Sequence, residues 1–199
     1  MRMTKLIAAA AFLVLAGCGN GGGSSDDAAG GKAAAGSPLF PDDFKGVCSG
    51  GSVSKATPYD AKAASHKALL FSSYKDDLQQ SSTLPPDWTV QFSPDHDALK
   101  AIDLVGCARR TAEKLVKTCD GYEKDGKSTG GKVRWHSATY ELSVHEATTG
   151  EELDSTSVEA TSETCPMFAS FDGKNETVDM YATVGDTEIN DFLKPYVKP

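Results

Sequence analysis

Hydrophobic and polar positions along this chain fall into several repeating patterns. After an apolar opening and the stretch 19–38, too poor in apolar side chains to join a core, Ala68-Leu69-Leu70-Phe71 is a short continuous apolar run, the pattern of a short buried strand. Trp88, Val90 and Phe92 alternate with Thr89 and Gln91, which predicts a half-buried strand after a turn at Leu84-Pro85-Pro86-Asp87. Ala101 to Cys107 reads as another strand, Arg110 to Lys114 as a polar turn centred on Glu113, and Leu115 to Cys119 as the returning strand. The longest strand runs from Lys132 to Glu146. Its apolar positions change parity between Trp135 and Ala138, which places one extra residue, a β-bulge, near His136 or Ser137. Thr148-Thr149-Gly150-Glu151 turns the chain, and Thr156, Val158 and Ala160 alternate on the way back.

The period changes at the C-terminus. Ile189, Phe192, Leu193, Tyr196 and Val197 stand at i, i+3, i+4, i+7 and i+8, one face of a helix capped at Asp186 or Thr187. Pro195 limits it to about two turns, so it must dock on the sheet to persist. The expected fold is mostly β, an antiparallel meander or sandwich-like domain over residues 39 to 199 with this short helix.

The N-terminus has a different purpose. Arg2 and Lys5 precede the apolar run Leu6 to Ala16, too short for the roughly 20 residues of a membrane span. Leu15-Ala16-Gly17-Cys18 then closes residues 1 to 17 as a bacterial lipoprotein signal peptide, with Cys18 accepting a diacylglyceryl group and becoming the first mature residue. Two or three acyl chains at about 0.8 kcal/mol per buried methylene make such an anchor effectively permanent. Residues 18 to 38, rich in Gly, Ala and Ser, form a tether with a reach of about 25 Å. The expected address is the outward face of a bacterial cell membrane.

Four further cysteines, Cys48, Cys107, Cys119 and Cys165, in an exported chain predict two disulfides. A hairpin centred on Glu113 would set Cys107 opposite Cys119 and leave Cys48 to Cys165. Their wide spacing does not suit zinc. The chain has 20 Lys+Arg against 28 Asp+Glu, and loss of Arg2 and Lys5 makes the mature balance 18 against 28, or −10. That charge argues against nucleic acid and against adhesion to anionic lipid other than through the anchor.

Gly46-Val47-Cys48, Ala56-Thr57-Pro58-Tyr59-Asp60, His66, Leu84 to Trp88, Leu104 to Cys107, Thr118 to Tyr122, Tyr140 to Gly150 and Cys165-Pro166 together resemble a group of secreted and lipid-anchored bacterial proteins, mostly actinobacterial. The resemblance spans residues 46 to 166. It implies the address and a disulfide-braced β domain, and no assigned activity that could be carried over.

No nucleophile elbow, phosphate loop, His-Glu-x-x-His or calcium loop occurs, and no cofactor is implied. Asp95, His96 and Asp97, after Ser93-Pro94, are the sharpest local candidate for metal binding or general-base chemistry, against the reading of a solvated turn. His66 fits a buried hydrogen-bonding role; His136 and His145 fit surface or capped positions that share a face if a bulge separates them. Trp88, Trp135 and Tyr140 are either core or a sugar platform. The expected function is a non-catalytic binding module for an envelope protein or small ligand, with a small envelope hydrolase or metal-dependent enzyme at Asp95-His96-Asp97 as the alternative. A two-lobed solute-binding protein needs more chain and βαβ alternation.

Overall fold

The computed structural model describes residues 38 to 90, 96 to 173 and 176 to 199. The leader, Cys18 and the tether as far as Ser37 lie outside the described residues. Among the described residues eight strands follow a 3-10 segment at Pro41–Ser49: β1 (Ala68–Tyr74), β2 (Asp77–Ser81), β3 (Leu104–Cys119), β4 (Glu123–Lys124), β5 (Lys127–Ser128), β6 (Lys132–Glu146), β7 (Glu152–Ala160) and β8 (Thr177–Tyr181), then the helix α1 (Asp186–Val197). The protein is mostly β. Six strands form one sheet in the order β2-β1-β3-β6-β7, with β8 also on β6; β4 and β5 make a separate hairpin.

The sheet is mixed. β1/β2, β3/β6 and β6/β7 are antiparallel, whereas β1/β3 and β6/β8 are parallel. The parallel pairs arise because the connections Ser82 to Asp103 and Thr161 to Glu176 are long enough to cross over, which a tight turn is not. Both faces of the sheet are covered. Ala68, Leu70, Leu104, Leu142 and Val144 pack with Ile189, Leu193 and Val197 of α1. Leu69, Phe71, Val105 and Cys107 point the other way, onto Phe44 and Val47 of the N-terminal segment. Alternate residues of β1 thus enter two cores, which is why its sequence is continuously apolar. Gly106 lets α1 approach, since a Cβ there would lie 3.1 Å from a Leu193 methyl.

β6 and β7 have the spans and turn that their patterns predict, with Gly150 at φ +75° closing the turn. Trp135 and Ala138 enter the same core despite opposite parity. The register shift beside them belongs to β3, where Val116 is the extra residue opposite Trp135 and His136, and a second shift lies at Thr111.

Four expectations are corrected. Arg110 to Lys114 is no turn, for β3 runs unbroken through it. Its outer neighbour β1 covers only Leu104–Ala108, so the residues beyond are solvated and their polarity imitates a loop. Cys107 and Cys119 therefore lie at opposite ends of one strand, about 40 Å apart at 3.3 Å per residue, and cannot bond. The bridges are Cys48–Cys107 and Cys119–Cys165, with Cα separations of 5.8 and 6.0 Å. Each restrains the unfolded chain by about 4 kcal/mol in the chain-entropy model.

Trp88 does not begin a strand. It is buried in a turn, and its carbonyl accepts the Ala68 N–H at 2.7 Å. α1 runs twelve residues, through Pro195, because a proline near the last turn forfeits only one backbone bond while Val197 remains buried beneath it.

Candidate functional site

A groove of about 910 Å³ lies where β3 ends, beside the Cys119–Cys165 bridge. One wall is the β4/β5 hairpin. Its two turn residues, Asp125 and Gly126, have φ of +53° and +71°, the left-handed pair that Asp-Gly supplies for a tight hairpin. The other wall is the segment from Cys165 to Gly173. Tyr122 joins the walls, donating its hydroxyl to the Pro166 carbonyl at 3.1 Å and stacking on Phe171 with 5.4 Å between ring centroids. Burial raises the Tyr122 pKa, so the phenol stays a donor. Phe171 lies over Gly131, where a Cβ would come within 2.7 Å of its ring. Glu176 holds the outer wall by accepting the Asp172 and Gly173 N–H groups at 2.6 and 3.0 Å.

Met167 and Phe168 stand on the rim, 83% and 82% exposed. Asp120, Glu123, Asp125 and Asp172 line the same groove against Lys124 and Lys127, an excess of negative charge. Two apolar side chains on an acidic groove suit an apolar partner segment flanked by cations. Among the described residues of the groove, no proton donor and base are set against each other.

No family model matches this chain, and the searches of curated proteins and of solved structures found no match either.

A second polar cluster crosses three strands. Arg134 of β6 binds Asp179 of β8 through Nε at 2.8 Å and through a second guanidinium nitrogen, and His136 Nε2 reaches the same carboxylate at 2.7 Å. Hydrogen bonds from Arg134, then from His136, hold the Asp179 carboxyl below its ordinary range against the opposing effect of burial. The Arg110 guanidinium of β3 lies 3.5 Å from the centre of the Tyr181 ring. These groups are engaged with one another, so the cluster fastens β8 and β3 across β6.

The sequence candidates have separate fates. Asp95 is outside the described residues. His96 opens the 3-10 turn His96–Ala101, and Asp97 is an exposed carboxylate paired with Lys100 at 2.7 Å. His66 is buried as expected: its Nδ1 meets Asp103 Oδ2 at 2.5 Å, while Asp103 Oδ1 accepts the Lys67 N–H at 2.9 Å. His145 is buried, not a surface residue. With its Nδ1 toward the Gly150 carbonyl at 3.4 Å, its Nε2 accepts from the Ser143 hydroxyl at 2.8 Å. That hydroxyl–imidazole pair escaped the sequence reading because Ser143 and His145 are two residues apart in a strand and match no motif. Both side chains are buried under the N-terminal cover, so they act as internal packing. His136 and His145 belong to different clusters. Trp88, Trp135 and Tyr140 share the core beneath α1, and the Trp135 indole donates to the Ser162 carbonyl at 2.7 Å.

The groove itself was not anticipated. Its only signal was the adjacent pair Met167-Phe168 in an otherwise polar stretch after Cys165-Pro166.

Proposed function

We propose that this chain is a lipid-anchored binding module on the outward face of a bacterial membrane, without a catalytic role, and that its contact surface is the groove beside Cys119–Cys165. The lipobox at Leu15 to Cys18 supports the address, and the two bridges suit an oxidising compartment. The likeness to secreted and lipid-anchored actinobacterial proteins belongs to the same proposal.

The observation that carries the contact surface is the pair Met167 and Phe168, more than four-fifths exposed at the rim of a groove of about 910 Å³. Adjacent exposed apolar side chains in a polar surround mark a place where something docks. The partner would be an envelope protein presenting an apolar segment with Lys or Arg beside it. Cross-linking mass spectrometry on intact cells tests this with the native chain and with Met167→Asp/Phe168→Asp. A partner enriched by the native chain and reduced about tenfold or more by the double variant is expected. Enrichment no greater than that of an unrelated lipid-anchored control would overturn the reading.

A further inference from the structure

The two central strands are flanked unequally. β6 has β3 on one side, and on the other two strands end to end, β8 along Lys132 to His136 and β7 along Ala138 to His145. β3 has β6 on one side, but on the other β1 pairs only along Leu104 to Ala108. From Arg109 to Thr118 no strand among the described residues pairs with its outer flank, and the eight residues from Thr111 to Thr118 are all exposed. A strand paired on one side directs alternate N–H and C=O groups outward. The result is a notch in the sheet about 26 Å long at 3.3 Å per residue. It starts at the β1/β2 turn, where Arg110 donates to the Lys75 carbonyl at 3.0 Å.

The charge along the notch has the opposite sign to that of the molecule. Arg109, Arg110, Lys114 and Lys117 stand against Glu113 alone, in a chain of net charge −8. Arg109 is committed to the Cys48 carbonyl at 2.6 Å, and Arg110 is paired with Glu113 at 3.4 Å. Lys114 and Lys117 are exposed beside Leu115 and Val116, which are themselves 51% and 42% exposed. Lysines on an edge deter pairing with an identical edge, because like charges would be brought together. They do not deter a strand of opposite charge.

Shape narrows the occupant further. A folded sheet edge from a second copy would bring its own sheet into the plane already taken by β1 and β2. A single extended segment would not. We propose that the notch beside Thr111–Thr118 is a docking site for one extended acidic segment of another protein, added to the sheet by main-chain hydrogen bonds and selected by Lys114 and Lys117. This site is independent of the groove at Met167.

Hydrogen exchange on the full chain tests it, with a blocked peptide of about eight residues alternating Thr and Glu as the probe and one alternating Thr and Lys as the control. The acidic peptide should slow exchange at Thr111 to Thr118 about tenfold or more, and Lys114→Glu/Lys117→Glu should raise the half-saturating concentration about tenfold or more. Both lysines are exposed, and an unchanged far-UV spectrum checks that the variant is folded. Equal protection by the basic peptide would overturn the proposal, as would none from the acidic one at about 1 mM. So would protection without peptide, whether it rises with protein concentration, as for a second copy, or is lost on removing residues 19 to 37, as for the chain's own tether.

Discussion

Asp179 receives the Arg134 guanidinium through two nitrogens and the His136 ring through one, on a strand of only five residues. Those bonds depress its folded pKa below the ordinary 3.8. A carboxyl with a depressed folded pKa stabilises fully above its unfolded value, and that contribution fades as pH falls through the folded value. The stability gap between the native chain and Asp179→Asn should therefore hold steady above about pH 5 and close below the ordinary value of a carboxyl. Urea melts at neutral pH and at successive acid values measure it, and a gap that does not change with pH would count against the pairing. At this scale the sequence was partly legible. His66 could be read as a buried hydrogen-bonding residue from its place before an apolar run. Its partner Asp103 could not, because the contact spans 37 residues and depends on the parallel pairing of β1 with β3.

Elements were legible where one face kept its surroundings along the whole length. β6 met that condition on the face toward α1, where Val133, Trp135, Ala138, Tyr140, Leu142 and Val144 are all buried, and so did α1, whose buried face is Ile189, Leu193 and Val197. β3 failed it, since its first five residues are covered on both faces and the following stretch is exposed. A strand that changes environment midway has the composition of a strand followed by a turn, and the disulfide pairing inferred from that turn failed with it. The groove was less legible still, because its walls come from a hairpin of two-residue strands and a segment without regular structure. α1 carries the clearest energetic expectation. Leu193 is buried against Leu70 and fills the space that Gly106 leaves open, so Leu193→Ala should destabilise by about 2 to 5 kcal/mol in chemical denaturation. A loss below about 1 kcal/mol would mean that the helix is not docked there.

At the scale of the whole molecule, the proposed lipid anchor would account for attachment, and the acidic balance of the chain for staying off an anionic lipid surface. Cys18→Ser should move the protein from the membrane fraction to the soluble one while leaving its fold intact, as fractionation with a disulfide-specific gel would record. Retention in the membrane fraction would remove the anchor.

Each bridge joins neighbouring cysteines in chain order, Cys48 to Cys107 and Cys119 to Cys165, so the two closed loops neither overlap nor nest. Among the described residues no disulfide spans the stretch 108–118, whose exposed part, Thr111 to Thr118, contains Lys114 and Lys117. One tryptic nick there would divide the protein into two separately cross-linked halves, held together by the pairing of β3 with β6 and by the packing of α1 and the N-terminal segment on the two faces of the sheet. On a denaturing gel without reductant the halves should run apart, whereas in native buffer they should still travel together.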